Sequence, residues 1–286
     1  MIQDIAPRKL INAFEPQRKA SDEDRILHFR GKELLLGKEE RELEFPLVKE
    51  LALTDAEREN LRYLFRIDDE AFFDLPDAEP SLKEEERFEY LSLPRVREEK
   101  SGPMHHLLAA YTGFQLENWY RDNRFCGTCG SKTVPAPDER AIDCPCCKRR
   151  IYPRIQPAVI VGVISGERLL ITRYADRPFA QNALIAGFTE IGETLEETVA
   201  REVMEEAGLK VKNIRYYKSQ PWGIADDILT GFYCDVDGSD EIILDRKELK
   251  TAVWTKREDI VGQSTQLSLT NEMMLVFRDG KEPKWH

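Results

Sequence analysis

Short runs of alternating apolar and polar residues, broken by turn residues, dominate the first 120 positions. The run RILHFRGKELLLG at 25–37 predicts a β-hairpin that turns at Gly31–Lys32, and LRYLFRIDDEAFFDL at 61–75 predicts a second that turns at Asp68–Asp69. The charged run KEEERFEY at 83–90 favours a solvated face or a loop. Residues 1–122 therefore predict a small β-rich domain.

A longer helical pattern ends this region. Residues 107–122, LLAAYTGFQLENWYRD, are typical of a helix that leads into the next segment. His105 and His106 stand just before it, and adjacent histidines without other ligands nearby are more often surface or packing residues than a site. We therefore expect no functional role for them.

From residue 154 onward the pattern changes to long apolar strands. The runs at 158–164 and 168–174 flank the turn Ser165–Gly166–Glu167, which predicts a hairpin. A glycine-bearing loop, a strong helix, strands at 214–220 and 228–236 and a helix around 268–277 follow. Strands flanked by two helices predict a layered domain of α and β elements.

Composition and charge exclude several classes of protein. Hydrophobic residues make up 41 % of the 286 positions, which is enough for a real core, and the net charge of −11 argues against a non-specific nucleic-acid binder. The longest apolar run, residues 158–164, is far shorter than the ~20 residues of a membrane span. The first residues carry no apolar signal-peptide core, so we expect a globular, cytoplasmic protein.

Four of the six cysteines form two knuckles, Cys126-x-x-Cys129 and Cys144-x-x-Cys147, with fourteen residues between them. In a reducing compartment such a pattern favours metal binding over disulfides. Four thiolates form the closed tetrahedral shell of a structural zinc site, one Zn²⁺ per chain. Cys146 is a competing thiol, but the two-residue spacing favours Cys147.

The helix after residue 194 carries a carboxylate pattern. Thr194 and Glu197 form a capping box, and Gly208 is the expected C-terminal stop. Glu202, Glu205 and Glu206 then share one helical face, where they repel one another. Solvent tolerates such a face, and glutamate-rich helices are common; a divalent cation such as Mg²⁺ or Mn²⁺ would turn the repulsion into binding. Helix spacing alone leaves both interpretations open.

The complete pattern resembles the Nudix box: Gly187, five residues, Glu193, seven residues, then Arg201-Glu202-Val203-Met204-Glu205-Glu206-Ala207-Gly208-Leu209. The Nudix hydrolases cleave nucleoside diphosphates linked to another moiety. The resemblance implies that Glu202 and Glu206 bind Mg²⁺ or Mn²⁺, that Glu205 is a ligand or general base, and that Glu193 and Arg201 brace the loop. It also implies an α+β architecture, a Nudix α/β/α sandwich with a mixed sheet (154–286) behind the zinc ribbon (123–153) and the β-rich N-terminal domain (1–122).

A zinc ribbon in front of this box narrows the resemblance to the NADH pyrophosphatase family, whose members cleave NAD(H) to nicotinamide mononucleotide and AMP, and some of which remove NAD caps from RNA. The family implies homodimers whose pockets draw on both subunits. By position it implies further metal ligands at the Ala186 carbonyl and Glu248, and ring contacts from Tyr152 and Phe188. The remaining implied substrate contacts are Glu139, Gln220, Trp222, Asp227 and Thr270.

The segment after Trp222 departs from the family. Where the family has a proline-stiffened aromatic loop ending in serine, this chain has Gly223-Ile224-Ala225-Asp226-Asp227, which predicts a more flexible loop with negative charge near an anionic ligand. Thr270 stands where the family usually has alanine. Two alternatives to NAD(H) hydrolysis therefore stay open: a Nudix hydrolase that prefers ADP-ribose or another nucleoside diphosphate derivative, and a non-catalytic nucleotide- or RNA-binding protein with the basic cluster Lys148–Arg150.

Overall fold

The computed structural model describes residues 1–38, 42–76, 78–99, 102–174, 181–244 and 249–285, which fall into two compact units. The first unit comprises residues 2–154 and 223–225. The second comprises Met1, residues 155–222 and residues 226–286. Within the described ranges, no helix combines the length and the apolar character needed to cross a membrane.

Two small sheets form the N-terminal part of the first unit. One has the strand order β1-β5-β6-β2 and the other β3-β4-β7. Both predicted hairpins are confirmed, because β3 and β4 flank Gly31–Lys32 and β5 and β6 flank Asp68–Asp69. The strands are β1 (Leu10–Ile11), β2 (Arg25–Ile26), β3 (Phe29–Arg30), β4 (Glu33–Gly37), β5 (Arg62–Ile67), β6 (Glu70–Asp74) and β7 (Phe88–Ser92).

The charged run at 83–90 is only partly a loop, which corrects the expectation above. Its second half forms the start of β7, which pairs antiparallel with β4 from Gly37↔Phe88 to Glu33↔Ser92. Phe88 and Leu91 are buried at 5 % and 2 % exposure. Because successive strand residues alternate in direction, Phe88 and Leu91 are buried on opposite faces of the sheet, and pairing with β4 makes the charged run a strand.

Three helices belong to the same unit: α1 (Asp55–Glu59), α2 (Leu93–Glu99) and α3 (Met104–Asp122). The predicted helix at 107–122 is confirmed as α3, which begins three residues earlier. His105 and His106 thus lie in its first turn and are buried. The premise that no other ligand lies near them is wrong, because Glu70 of β6 contacts both rings.

The cysteine-rich segment folds as a three-stranded ribbon with the order β10-β9-β8. Its strands are very short, so the ribbon buries little apolar surface of its own. Such small modules depend on a bound metal for stability. The strands are β8 (Val134–Pro135), β9 (Ile142–Asp143) and β10 (Arg150–Ile151).

The second unit is built on one mixed sheet with the order β14-β15-β11-β12-β16, and β13 pairs with β11. The central pair β11 and β15 is parallel, and the other described pairs are antiparallel. The predicted turn at Gly166 joins β11 to β12. The strands are β11 (Gln156–Ser165), β12 (Arg168–Tyr174), β13 (Ile185–Phe188), β14 (Val211–Trp222), β15 (Asp227–Val236) and β16 (Leu249–Lys256).

Two helices cover opposite faces of this sheet: α4 (Leu195–Ala207) and α5 (Leu269–Arg278). Val159, Val161 and Val163 of β11 belong to the core cluster that includes α4, whereas Ile160 and Ile164 belong to the cluster that includes α5. Successive strand residues point to opposite faces, so one continuous apolar strand supplies both cores. The expected α/β/α sandwich with a mixed sheet is confirmed.

Candidate catalytic and metal-binding sites

The carboxylate-bearing helix α4 begins and ends as the sequence predicts. The Thr194 hydroxyl accepts a hydrogen bond from the Glu197 N–H at 3.1 Å, and the Glu197 carboxylate accepts one from the Thr194 N–H at 2.8 Å. At the other end Gly208 takes the left-handed conformation, with φ 67°. These two caps fix which residues of α4 face the sheet and which face the loop before it.

Arg201 joins the loop to the helix. Its guanidinium donates to both carboxylate oxygens of Glu193 (2.6 and 2.9 Å) and to the carbonyl oxygen of Phe188 at the end of β13 (2.9 Å). The remaining nitrogen donates to Glu202 at 2.7 Å and to Glu205 at 3.0 Å. These hydrogen bonds, above all those from Arg201, lower the pKa of Glu193 to about 2, so Glu193 is ionised across the neutral range.

Thr198 completes the support of Glu193, and reasoning from sequence missed it. Its hydroxyl donates to the second oxygen of Glu193 at 3.0 Å, and the Glu190 N–H donates to the same oxygen at 3.1 Å. Thr198 is fully buried. Its position five residues after Glu193, on the first turn of α4 and facing back to the loop, is the signal that could have revealed it.

Gly187 lies so close to Glu202 that no other residue fits there. A Cβ atom at position 187 would stand 2.0 Å from the carboxyl carbon of Glu202, far inside van der Waals contact. β13 therefore runs directly over this carboxylate, with Ala186 and Phe188 on either side of the glycine. The glycine of the box is required by this close approach of backbone to side chain.

The carboxylates of α4 differ in exposure. Glu202 and Glu206 are buried, at 8 % and 2 % exposure, whereas the side chain of Glu205 is 59 % exposed. Arg201 contacts three carboxylates here, those of Glu193, Glu202 and Glu205, while Glu206 is buried one helical turn beyond Glu202. Buried carboxylates of like charge are costly without cations, and oxygen donors suit Mg²⁺ or Mn²⁺. The residues present therefore fit a divalent cation; Glu248 lies outside the described residues.

The four knuckle cysteines converge in the first unit. The Sγ atoms of Cys126 and Cys147 lie 3.6 Å apart, those of Cys129 and Cys144 lie 3.5 Å apart, and all four lie within 4.8 Å of one another. Tetrahedral Zn–S bonds of about 2.3 Å require sulfur atoms roughly 3.8 Å apart. The donor set thus fits one tetrahedral metal ion, and Cys147 rather than Cys146 completes it.

Both knuckles close in the same way. In each, the residue after the second cysteine has a positive φ and donates its N–H to the carbonyl of the first cysteine: Gly130 (72°, 2.8 Å) and Lys148 (63°, 3.0 Å). Glycine adopts this conformation freely, whereas lysine pays for it. The local geometry that points two thiolates at one ion therefore overrides the backbone preference of Lys148.

Glu139 and Tyr152 meet on the ribbon. The Tyr152 hydroxyl donates to Glu139 at 3.0 Å, and Arg150 donates to the same oxygen at 2.6 Å. The ring of Tyr152 remains 56 % exposed. An exposed aromatic ring held by its hydroxyl offers a flat surface for stacking.

Gln220 and Thr270 lie where β14 meets the start of α5. Gln220 is fully buried; its amide nitrogen donates to the carbonyl of Leu267 and its amide oxygen accepts from the N–H of Leu269, both at 2.7 Å. Thr270 is the next residue of α5. Both polar atoms of the Gln220 side chain are therefore committed to holding the helix start.

Asp227 opens β15 opposite Trp222 of β14 and Gln156 of β11. Phe188 pairs with Ala158 of β11, and Asp227 pairs with Gln156 of the same strand. Residues 156 and 158 of β11 point to the same face of the sheet, so the side chains of Asp227 and Phe188 do so too. Phe188 is 51 % exposed, whereas Asp227 is 6 % exposed. Burial, with a smaller contribution from Asp226, raises the pKa of Asp227 to about 6.

The segment after Trp222 contains a close approach that explains its glycine. A Cβ atom on Gly223 would stand 2.2 Å from the carbonyl oxygen of Tyr111 in α3. Glycine is required here by contact rather than by a positive φ. Asp226, the fourth residue of the segment, has φ 57°.

Comparison with known proteins agrees with these two sites. Residues 154–275 match the NUDIX domain, and residues 121–152 match the NADH pyrophosphatase zinc ribbon domain. Two relatives named NAD-capped RNA hydrolase NudC, from Enterobacter sp. (strain 638) and Escherichia coli O1:K1 / APEC, are 44 % and 43 % identical over 148 residues. Those residues are 52 % of this chain and 57 % of either relative, so the match spans a little over half of their length.

A solved NUDIX hydrolase from Nitrosomonas europaea has 22 % sequence identity and a TM-score of 0.48, and covers 57 % of this chain and 96 % of its own. The glutamate-bearing helix and the four-thiol ribbon lie inside the two matched segments. The chain therefore carries a NUDIX domain at residues 154–275, directly preceded by an NADH pyrophosphatase zinc ribbon domain.

Proposed function

We propose that the chain is a metal-dependent diphosphatase that hydrolyses NAD(H) to nicotinamide mononucleotide and AMP, and that it also acts on NAD-capped RNA. The main observation in its favour is that Glu202 and Glu206 of α4 are both buried, with Glu202 directly under Gly187 of β13 and bonded to Arg201. Arg201 offsets only part of this negative charge, because three carboxylates contact its one guanidinium, and a bound cation would offset the remainder. The names of the NudC relatives, NAD-capped RNA hydrolases, support the choice of an NAD-linked diphosphate.

Glu202, Glu206 and the carbonyl of Ala186 would hold Mg²⁺ or Mn²⁺, and Glu248 is a further proposed ligand. When bound, the cation would offset the charge of the diphosphate and acidify a water molecule. Glu205 is far more exposed than Glu202 and Glu206 and is held by Arg201, so it is suited to accept the proton of the attacking water. Water adds to one phosphorus atom and the bridging oxygen leaves with the other, which gives two monophosphates.

Two of the exposed aromatic residues, Phe188 and Tyr152, are each proposed to contact a ring of the substrate. Phe188 belongs to the second unit and Tyr152 to the ribbon, and stacking on a base or nicotinamide is worth roughly 1–3 kcal/mol per ring. Glu139, Gln220, Trp222, Asp227 and Thr270 complete the proposed substrate set, Gln220 through its hold on the start of α5. We further propose a homodimer.

The ribbon metal is proposed to be a structural Zn²⁺, one per chain. A closed four-sulfur shell leaves no open position for substrate, and its thiols must stay reduced to bind the ion. A cytoplasmic location fits that requirement.

Glutamine substitutions on α4 test the proposal. We expect Glu206→Gln to abolish cleavage of NADH in Mg²⁺ or Mn²⁺ by removing a ligand, and Glu205→Gln to slow it by about 10²–10⁴-fold. Activity is followed by mass spectrometry of nicotinamide mononucleotide and AMP, and circular dichroism checks the fold.

Glu196→Gln is the matched control, because Glu196 is exposed on the first turn of the same helix and takes no part in its cap. It is expected to keep full activity. Full activity of Glu206→Gln, or an inactive wild-type chain that still binds nucleotide, would refute the diphosphatase and favour a non-catalytic binding protein.

A second candidate substrate class rests on Asp227. At this position the related family has a serine, whereas this chain has a buried carboxyl group with a pKa of about 6. Because Asp227 lies on the same sheet face as Phe188, the substitution changes the surface that would recognise the substrate. Turnover rates measured with NADH, NAD⁺, ADP-ribose and NAD-capped RNA distinguish the two substrate classes. Much faster turnover of ADP-ribose than of NADH would select the second class.

A further inference from the structure

A second cluster of metal-binding side chains lies in the first unit, apart from the cysteines. Glu70 opens β6, and His105 and His106 lie in the first turn of α3. The Nε2 atom of His106 is 2.9 Å from one carboxylate oxygen of Glu70, and the Nε2 atom of His105 is 3.3 Å from the other. One donor atom from each residue lies within 4.8 Å of the other two.

The second nitrogen of the His106 ring makes this contact unusual. Nδ1 is 2.8 Å from the carbonyl oxygen of Leu43, which can only accept a hydrogen bond, so Nδ1 carries a proton. A neutral ring then presents the lone pair of Nε2 to the carboxylate of Glu70, and two acceptors would face each other at 2.9 Å. A cation between them removes the conflict. Histidines that bind metals commonly donate their other N–H to a backbone carbonyl in this way.

His105 adds a third donor. Its Nε2 atom is buried, and among the described residues no hydrogen bond reaches it, although Glu70 is near. The His105 residue as a whole is 8 % exposed. A buried nitrogen without a hydrogen bond needs a physical explanation, and coordination of an ion provides one.

The distances suit coordination as well. Ligand atoms about 2.1 Å from one ion lie roughly 3.0–3.4 Å apart in octahedral or tetrahedral geometry. Two imidazole nitrogens beside one carboxylate oxygen form a donor set that suits Zn²⁺ and its neighbours better than Mg²⁺, which prefers oxygen ligands alone. We propose that Glu70, His105 and His106 form a second metal site for a divalent transition-metal ion, which fastens α3 to β6.

Two arginines set the strength of this site. Arg25 donates to one oxygen of Glu70 at 2.7 Å and Arg8 to the other at 2.8 Å, while Asp68 lies 3.8 Å from Arg8. Each oxygen retains a lone pair for the ion, but the guanidinium charges oppose a dication. The ion is therefore held less tightly than in the four-thiol shell, and its competitor is a proton on Nε2 of His106.

Cobalt titration of the full chain tests the site. The cysteine shell is first loaded with Zn²⁺ and the α4 carboxylates with excess Mg²⁺, and Co²⁺ is then added. We expect a saturable weak visible band without the strong absorption of cobalt–thiolate bonds. We expect paramagnetic broadening of the His105 and His106 ring resonances in the same titration, a readout that needs only the wild-type chain.

His106→Gln and His105→Gln are expected to abolish this band. The matched control is His28→Gln, since His28 is also buried in the first unit but contacts Ala78 and Tyr90 instead; it should bind Co²⁺ as the wild type does. Sharp, unshifted histidine resonances at saturating Co²⁺, with His106 protonated on both nitrogens, would overturn the proposal. They would show that a proton on Nε2 of His106, and not a metal ion, joins this ring to Glu70. Equal binding by all three variants would overturn it too.

Discussion

At the scale of single residues, Asp227 is the clearest source of pH dependence. Its folded pKa is about 6 because burial disfavours the charged form, against about 3.9 in an unfolded chain. Between these values the folded state binds more protons than the unfolded one, so stability falls as the pH rises from about 4 to 6 and stays lower above it. We expect Asp227→Asn to raise the free energy of unfolding at pH 8 by about 1–3 kcal/mol and to remove that decline.

Denaturant unfolding across this pH range provides the measurement. Asp259→Asn is the control, because Asp259 is exposed in the same unit and its loss should change stability by less than about 0.5 kcal/mol. An Asp227→Asn chain that is less stable than the wild type at pH 8 would contradict this prediction and show that a partner stabilises the ionised carboxylate of Asp227.

At the scale of elements, the capping box of α4 carries a stability prediction. Thr194→Ala removes a hydrogen bond to the Glu197 N–H and should cost about 1 kcal/mol, whereas Thr194→Ser should restore it. Because the same turn positions Glu193 and hence Arg201, we also expect a fall in activity. Thermal unfolding and NADH turnover measure the two effects.

The chain carries its own control for this prediction. Thr54 and Glu57 form the same capping box on α1, but α1 is five residues long and buries none of them. Thr54→Ala should therefore melt only a local turn and leave turnover unchanged. Equal losses from both substitutions would mean that the cap of α4 has no special link to the site.

The elements that the sequence predicts well are those decided by neighbouring residues. The caps Thr194 and Gly208, the hairpin turns at Gly31 and Asp68, and the preference for Cys147 all follow from local backbone chemistry. The start of β7 does not, because a charged run became a strand only through pairing with β4.

The same division applies to the site. The spacing of the carboxylates on α4 is visible in the sequence, whereas Gly187 against Glu202 and Gln220 across the start of α5 are contacts between distant segments. His105 and His106 looked unremarkable because Glu70, their partner, is more than thirty residues away in the chain.

At the scale of the whole molecule, removal of the ribbon metal is expected to loosen one module and spare the other. The ribbon strands are two residues each, whereas the sheet of the second unit is covered by two apolar helix interfaces. A thiol-directed mercurial should therefore release the cysteine-bound Zn²⁺ and lower the stability of the ribbon without directly removing the cation of the α4 carboxylates. Calorimetry before and after release checks this, and an unchanged scan would contradict it.

Arg201 has a consequence for the order in which the chain acquires its ions. Its guanidinium bridges Glu193, Glu202 and Glu205, so this acidic turn has an internal counter-charge and can fold before Mg²⁺ binds. The four cysteine sulfurs lie within 4.8 Å of one another in a ribbon whose strands are two residues each, so this module depends on its metal ion for folding. We therefore expect Zn²⁺ to bind while the polypeptide is still folding. Mg²⁺ or Mn²⁺ is expected to bind the folded chain and to exchange during each catalytic cycle.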